Sequence, residues 1–230
     1  MSNDVQAVNA DLRVRVAVDS QAMEWTPSPG GHVLRKRMHL AGPAEAGQVT
    51  SIVRYPPGAR FPTHDHPGGE EILVLEGIFS DEHGDWPAGT YLLNPEGFRH
   101  GPFSLAGCTL FVKLRQFPGS DRRHVAIQSG DLPWTPGDRP GTGIKSLYQQ
   151  APYTDQTRLE RWEAAGEVGQ IDFVRGAELF LLSGGFSDEY GRYDRHSWLR
   201  IPAGGSLRPR GTGPCELYVK EGGFTYLQQA

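Results

Sequence analysis

Three histidines and one glutamate carry the chemistry for which this sequence can be read. His64 and His66 are separated by one residue in the segment Gly58–Gly77, GARFPTHDHPGGEEILVLEG. Glu70 follows the turn Pro67-Gly68-Gly69, and His100 closes the segment Gly89–His100, GTYLLNPEGFRH. Alternate residues of a strand point to one face, so the two imidazoles face together and Asp65 faces away. The first turn returns the chain so that Glu70 opens the next strand toward the same point, and the turn Pro95-x-Gly97 delivers His100. Three neutral imidazoles and one carboxylate suit Zn, Fe(II), Mn, Ni or Cu(II), and do not suit Ca or Mg, which take oxygen ligands. Such a set leaves one or two coordination positions open, as reactive metal sites do. The expected cofactor is one divalent transition metal per chain, Zn or Fe(II) ahead of Mn, Ni or Cu, held by His64, His66, Glu70 and His100. Glu70 is also the candidate catalytic residue, a ligand able to detach and act as a base.

The elements that must position these residues are short strands. The chain of 230 residues has 30 glycines and 18 prolines, with 37% hydrophobic and 22% charged residues, and helix-period apolar stripes are scarce. Val49–Tyr55, Glu71–Leu75, Gly89–Leu93 and Thr109–Leu114 are apolar or β-branched runs bounded by Gly, Pro, Asn or Asp, and each predicts a strand. Glu178–Leu182, Ser197–Ile201 and Glu216–Lys220 repeat the set, and Thr157–Ala165 is read as a strand because it aligns with the one around Arg54.

That repetition is the dominant organisational signal. GEEILVLEGIFSDEHG (69–84) and GAELFLLSGGFSDEYG (176–191) are identical at nine of 16 positions, at an offset of 184 − 77 = 107 fixed by Gly77 and Gly184. Pro95, Gly97 and Cys108 meet Pro202, Gly204 and Cys215 at the same offset, whereas Trp25-Thr26-Pro27 meets Trp134-Thr135-Pro136, and Val16-Ala17-Val18 meets Val125-Ala126-Ile127, at 134 − 25 = 109. The sequence therefore predicts an all-β chain of two tandem jelly-roll barrels: an N-terminal segment (1–12), a metal-binding domain (13–117) and a second domain (118–230) without metal ligands.

The second copy serves as an internal control. At offset 107, His64, His66, Glu70 and His100 become Ile171, Phe173, Ala177 and Leu207, so every candidate ligand turns apolar while the surrounding glycines and prolines persist. Residues retained in both copies are expected to serve the barrel. On that ground Glu71, Arg54 and Lys113 read as architectural, Asp81-Glu82 as a turn or solvated face, and Cys108 and Cys215 as buried small residues. His83 becomes Tyr190 in the second copy and is expected to lie solvated in a turn; His32, His39, His124 and His196 have no partner motif and are not expected to be ligands.

The two-part pattern G-x5-HxH-x3-E-x6-G and G-x5-P-x-G-x2-H resembles the cupin signature: Gly58, His64, His66, Glu70 and Gly77 match its first part, and Gly89, Pro95, Gly97 and His100 its second. Ser104 stands where that family usually has Asn. More narrowly, the stretch GGEEILVLEGIFSDEHGDWPAGTYLLNPEGFRHGP resembles the cupin domain of ChrR-like anti-sigma factors, and the resemblance extends over both copies. It implies a bicupin whose three histidines and glutamate bind zinc. About 15 residues precede the first copy, with no His/Cys cluster among them, so a sigma factor is not an expected partner.

Two functions follow as expectations. One is a cupin-type, metal-dependent dioxygenase acting on a small organic substrate. The alternative is a zinc-binding, ChrR-like sensor that responds to oxidants or a small ligand. A net charge of −4 without a Lys/Arg block argues against nucleic acid as a partner, and no apolar run approaches a membrane span. With only two cysteines and no signal-like start, the expected location is the cytoplasm, and the barrel pair fits either a monomer or a homodimer.

Overall fold

Glycine and proline turns divide the chain into strands that pair with one another, and the computed structural model describes them over residues 5–163 and 166–227. Among these residues the regular elements are β-strands and two 3-10 turns, and no helix is long and apolar enough to cross a membrane. The strand expected over Thr157–Ala165 runs Gln156–Trp162; Ala164 and Ala165 lie outside the described residues.

The chain forms two compact units. The first comprises residues 1–10, 23–131 and 226–230, and the second residues 11–22 and 132–225. In the first unit the antiparallel order is Val5–Val8, Leu34–Pro43, Gln48–Tyr55, Cys108–Leu114, Glu70–Asp81, Thr90–Asn94, Val125–Gln128. In the second it is Thr135–Pro136, Thr142–Gln149, Gln156–Trp162, Cys215–Glu221, Ala177–Ser183, Ser197–Ile201, Val16–Asp19. From the Leu34 and Thr142 strands onward the two orders are equivalent. The division at residues 117 and 118 follows the sequence repeats, whereas the compact units follow strand pairing. Val125–Gln128 lies beside Thr90–Asn94 in the first unit, and Val16–Asp19 beside Ser197–Ile201 in the second. The opening strand of each repeat thus completes the sheet built from the other repeat.

Each interior is filled by the inward residues of these strands. In the first unit Val33, Ile72, Val74, Phe79, Leu92 and Leu110 are buried together. In the second, Trp162, Leu179, Phe186, Leu199, Leu217 and Val219 form the equivalent cluster. Gly77 shows why its residue type is kept in both copies. Its φ is +75° and a Cβ would lie 2.2 Å from the Gly107 carbonyl oxygen; Gly184, at φ +68°, would meet the Pro214 carbonyl at 2.2 Å. Only glycine allows both that backbone conformation and so close an approach.

Candidate metal centre

His64-Asp65 and Arg99-His100 form a two-stranded ladder in which His100 is paired directly with His64. Glu70 is the first residue of the long strand Glu70–Asp81, whose partner Thr90–Asn94 places Asn94 opposite it. Asp65 faces outward to Arg99 at 3.3 Å, which leaves the two histidines beside it on the inner face. These elements converge His64, His66 and His100 so that one donor atom from each lies within 4.8 Å of the others.

Glu70 completes the group. Its Oε2 lies 3.5 Å from His66 Nε2 and 3.5 Å from His100 Nε2, and the two Nε2 atoms are 2.9 Å apart. An ion about 2.1 Å from each donor spaces neighbouring donors by about 3.0 Å at a right angle and about 3.4 Å at the tetrahedral angle. The spacings among His66, Glu70 and His100 fit one such ion. His66, Glu70 and His100 are buried and His64 is half-buried, so the cluster is largely shielded from solvent.

The surrounding groups fix the tautomers that coordination needs. His100 Nδ1 donates to Asp81 Oδ2 at 2.9 Å, and His64 Nδ1 donates to the Pro62 carbonyl at 2.9 Å. A proton held on Nδ1 leaves the Nε2 lone pair free for a metal. Asn94 Nδ2 donates to Glu70 Oε2 at 3.0 Å and orients the carboxylate. Burial pushes the His66 imidazole below its ordinary pKa, against the pull of Glu70. Burial also acts downward on His100, but the hydrogen bond it donates to Asp81 and the Glu70 charge outweigh it, and the net shift is upward. On Asp81 burial acts upward, yet hydrogen bonds from His100, the His83 N–H and Trp86 prevail and lower its pKa.

Asp81, expected at a turn or on a solvated face, does close a hairpin turn opposite Gly84 but is not solvated. It is buried, and its Oδ1 accepts Trp86 Nε1 at 3.2 Å and the His83 N–H at 2.9 Å. Asp188 in the second unit is bound in the same manner by Tyr193 Oη at 2.9 Å and the Tyr190 N–H at 2.8 Å, while its other oxygen meets Arg15. The carboxylate therefore braces a hairpin in both copies and additionally holds a histidine in the first. Glu71, expected to be architectural, accepts a 2.5 Å hydrogen bond from Tyr91 and lies opposite Lys113 in the sheet. Ser104 is buried and donates to the Ile78 carbonyl at 2.6 Å.

Asn94 was missed, although the repeat contains its signal: at 201 − 94 = 107 it becomes Ile201. None of His32, His39, His83, His124 and His196 joins the cluster. His83 and His124 instead bracket Phe98, with centroids at 5.1 and 4.9 Å. In the second unit Ile171 is paired with Leu207, as His64 is with His100, and both join the packed interior with Phe173 and Ala177.

The shielded cluster opens to a cavity of about 420 Å³ lined by His64, His66 and Glu70 at one end and by Val33, Tyr55, Phe61, Ile72, Phe79 and other apolar side chains along its walls. Burial, with Glu70 and Cys108 nearby, pushes the Tyr55 phenol well above its ordinary pKa, so it stays a neutral hydroxyl. Both cysteines are buried free thiols, and burial pushes each up to about 11.

A family model described as the ChrR cupin-like domain matches residues 13–118 and, a second time, 122–225. Comparison with curated protein sequences finds no match. Among solved structures, the chain is similar to a candidate dioxygenase from Nostoc punctiforme (TM-score 0.71, 18% identity, 90% of this chain and 82% of that one). It is similar to a salicylate 1,2-dioxygenase from Pseudaminobacter salicylatoxidans (TM-score 0.70, 14% identity, 92% and 85%). A third is a bacterial pirin from Escherichia coli in complex with nickel(II) (TM-score 0.64, 14% identity, 90% and 98%). At these identities the likeness concerns the fold.

Proposed function

The chain belongs to the ChrR cupin-like family, as a bicupin with a matching domain in each repeat, and from that premise we propose that it is a metal-dependent dioxygenase-type enzyme acting on a small organic substrate. The observation that carries this reading is that His64, His66 and Glu70, three members of the group, line an apolar cavity of about 420 Å³. A structural ion would be enclosed by protein on every side, whereas a reactive one needs a space for substrate beside it.

In this reading the three imidazoles and Glu70 would hold one divalent ion, Fe(II) in the active enzyme. When bound, the ion supplies a centre at which dioxygen and a substrate oxygen are activated. The remaining work belongs to the chain. Asp81 and the Pro62 carbonyl hold the protons of His100 and His64 away from the ion, and Asn94 keeps Glu70 aimed at it. On detaching from the ion, Glu70 would take the proton of the bound substrate. Tyr55, kept neutral, offers a hydroxyl donor within the cavity, and the apolar walls exclude water.

The zinc-sensor alternative has less support. A thiol-based oxidant response needs an accessible thiolate, and Cys108 and Cys215 are buried with their pKa pushed up to about 11.

The test is oxygen uptake by the anaerobically purified, Fe(II)-loaded chain on a panel of small diketones and phenols. Uptake with at least one substrate class, lost in His66→Ala, is expected. Tight zinc binding with no oxygen uptake after iron loading would overturn the enzyme reading.

A further inference from the structure

At the mouth of the same cavity the chain has placed a carboxylate of its own on a guanidinium. Arg35 and Glu45 both line the cavity. Arg35 Nη1 and Nη2 meet Glu45 Oε2 and Oε1 at 2.8 and 3.1 Å, a two-pronged contact, and Arg37 Nη2 meets Oε1 at 2.7 Å. Arg35 and Arg37 lie two residues apart on the strand Leu34–Pro43, so they share a face, and Arg35 is paired with Val53, which also lines the cavity. The Arg35 side chain is 18% exposed, and its Nε is buried without a hydrogen-bond partner. Glu45, by contrast, has 49% of its side chain exposed and sits in the turn between the strands Leu34–Pro43 and Gln48–Tyr55.

Two guanidiniums thus meet one carboxylate, and a third, Arg115, lies close enough to feel its charge, so positive charge predominates around Glu45. The second repeat shows that this group belongs with the chemistry. The register pairs Arg35 with Val53 in one sheet and Ile144 with Glu160 in the other, and 160 − 53 = 107, so Arg35 corresponds to Ile144. Arg37, opposite Ser51, corresponds to Ser146, opposite Arg158, since 158 − 51 = 107. Both arginines are lost in the copy that loses all four candidate ligands.

We propose that the substrate is an organic monoanion, a compact apolar body carrying one carboxylate, and that this carboxylate takes the place of Glu45 on Arg35 while the body fills the cavity toward His64 and Glu70. Glu45 is the resident stand-in for the ligand group: it demonstrates the geometry in which the Arg35 fork receives a carboxylate. Its exposure and its place on a turn let it swing away. This inference rests on the metal reading, because the Glu70 charge at the deep end is matched there by the divalent ion.

The experiment is calorimetric titration of the zinc-loaded, full-length chain with benzoate and with neutral benzamide, with zinc content measured in parallel. Benzoate is expected to bind about tenfold or more tighter than benzamide. Arg35→Gln should abolish that preference, and Glu45→Gln should tighten benzoate. Arg35→Lys keeps the charge, loses the fork and guards against misfolding of the first variant; it should lose most of the preference. Equal binding of the two probes, or a preference unchanged in the Arg35 variants, overturns the inference even if zinc is held in full. If no zinc is held, the metal reading falls and the same titrations on the metal-free chain decide: dependence on Arg35 sustains the carboxylate subsite, and its absence overturns it.

Discussion

Asp81→Asn is the sharpest perturbation that leaves every proposed ligand in place. Asp81 Oδ1 accepts two hydrogen bonds, from the Trp86 indole and the His83 N–H, and Oδ2 accepts the His100 Nδ1 proton at 2.9 Å. An amide cannot serve all three donors. With its oxygen toward Trp86 and His83, its NH2 faces His100 Nδ1, and the imidazole must move its proton to Nε2, the atom that points at Glu70 and His66. With its oxygen toward His100, two donors of the hairpin face an NH2 group. Loss of such an outer partner costs about 10- to 100-fold in metal affinity, or about 1.4–2.7 kcal/mol. Competition against a chromophoric chelator measures it. Asp188→Asn is the control: that side chain braces the equivalent hairpin near no candidate ligand, so metal affinity should be unchanged. If Asp81→Asn folds, by circular dichroism, and binds metal as the wild type does, the role of Asp81 as the orienting partner of His100 is refuted.

Other outcomes follow from the same structure. The His100 pKa is raised and that of His66 lowered. In the metal-free fold the proton on His100 stabilises below the ordinary imidazole pKa of about 6.5 and ceases to do so as pH rises through the higher folded value. Metal must displace that proton, so between these two values binding should be accompanied by proton release; titration in buffers of different ionisation enthalpy reads this, and no release would contradict it. Cys108 and Cys215, with pKa pushed up to about 11, should react slowly with a thiol reagent at pH 8 and at once after unfolding, and rapid labelling of the native chain would contradict their burial. Because raised thiol values favour the neutral folded form, their contribution to stability is lost as pH rises from about 9 toward 11. Leu207→Ala, at a fully buried position, should destabilise the second unit by about 2–5 kcal/mol in chemical denaturation, with metal stoichiometry unchanged.

Much of this architecture was legible in the sequence because glycine and proline delimit strands whose partners follow from the repeat. Val49–Tyr55 and Ser197–Ile201 were expected and are observed as Gln48–Tyr55 and Ser197–Ile201. The convergence of His64, His66, Glu70 and His100 followed from period-two spacing and two turns. Asp81 was hidden because one carboxylate does two things: the bracing of the hairpin keeps it in both copies, so persistence could not reveal its contact with His100. Asn94 and Arg35 were visible in principle, since each becomes isoleucine in the second copy, but comparison confined to a motif passes over them. The exchange of the opening strands was not legible. Val16-Ala17-Val18 and Val125-Ala126-Ile127 are nearly the same sequence, and an alternating apolar pattern specifies a strand without specifying which sheet edge receives it.

Metal stoichiometry is the most direct test of the site. The anaerobically purified full-length chain and its His66→Ala and His100→Ala variants can be compared by elemental analysis after reconstitution. One equivalent of a divalent transition metal per wild-type chain, lost in both variants while the fold is retained, is the expected result. Stoichiometric metal in either variant, or two equivalents per wild-type chain, would contradict a single site confined to the first unit.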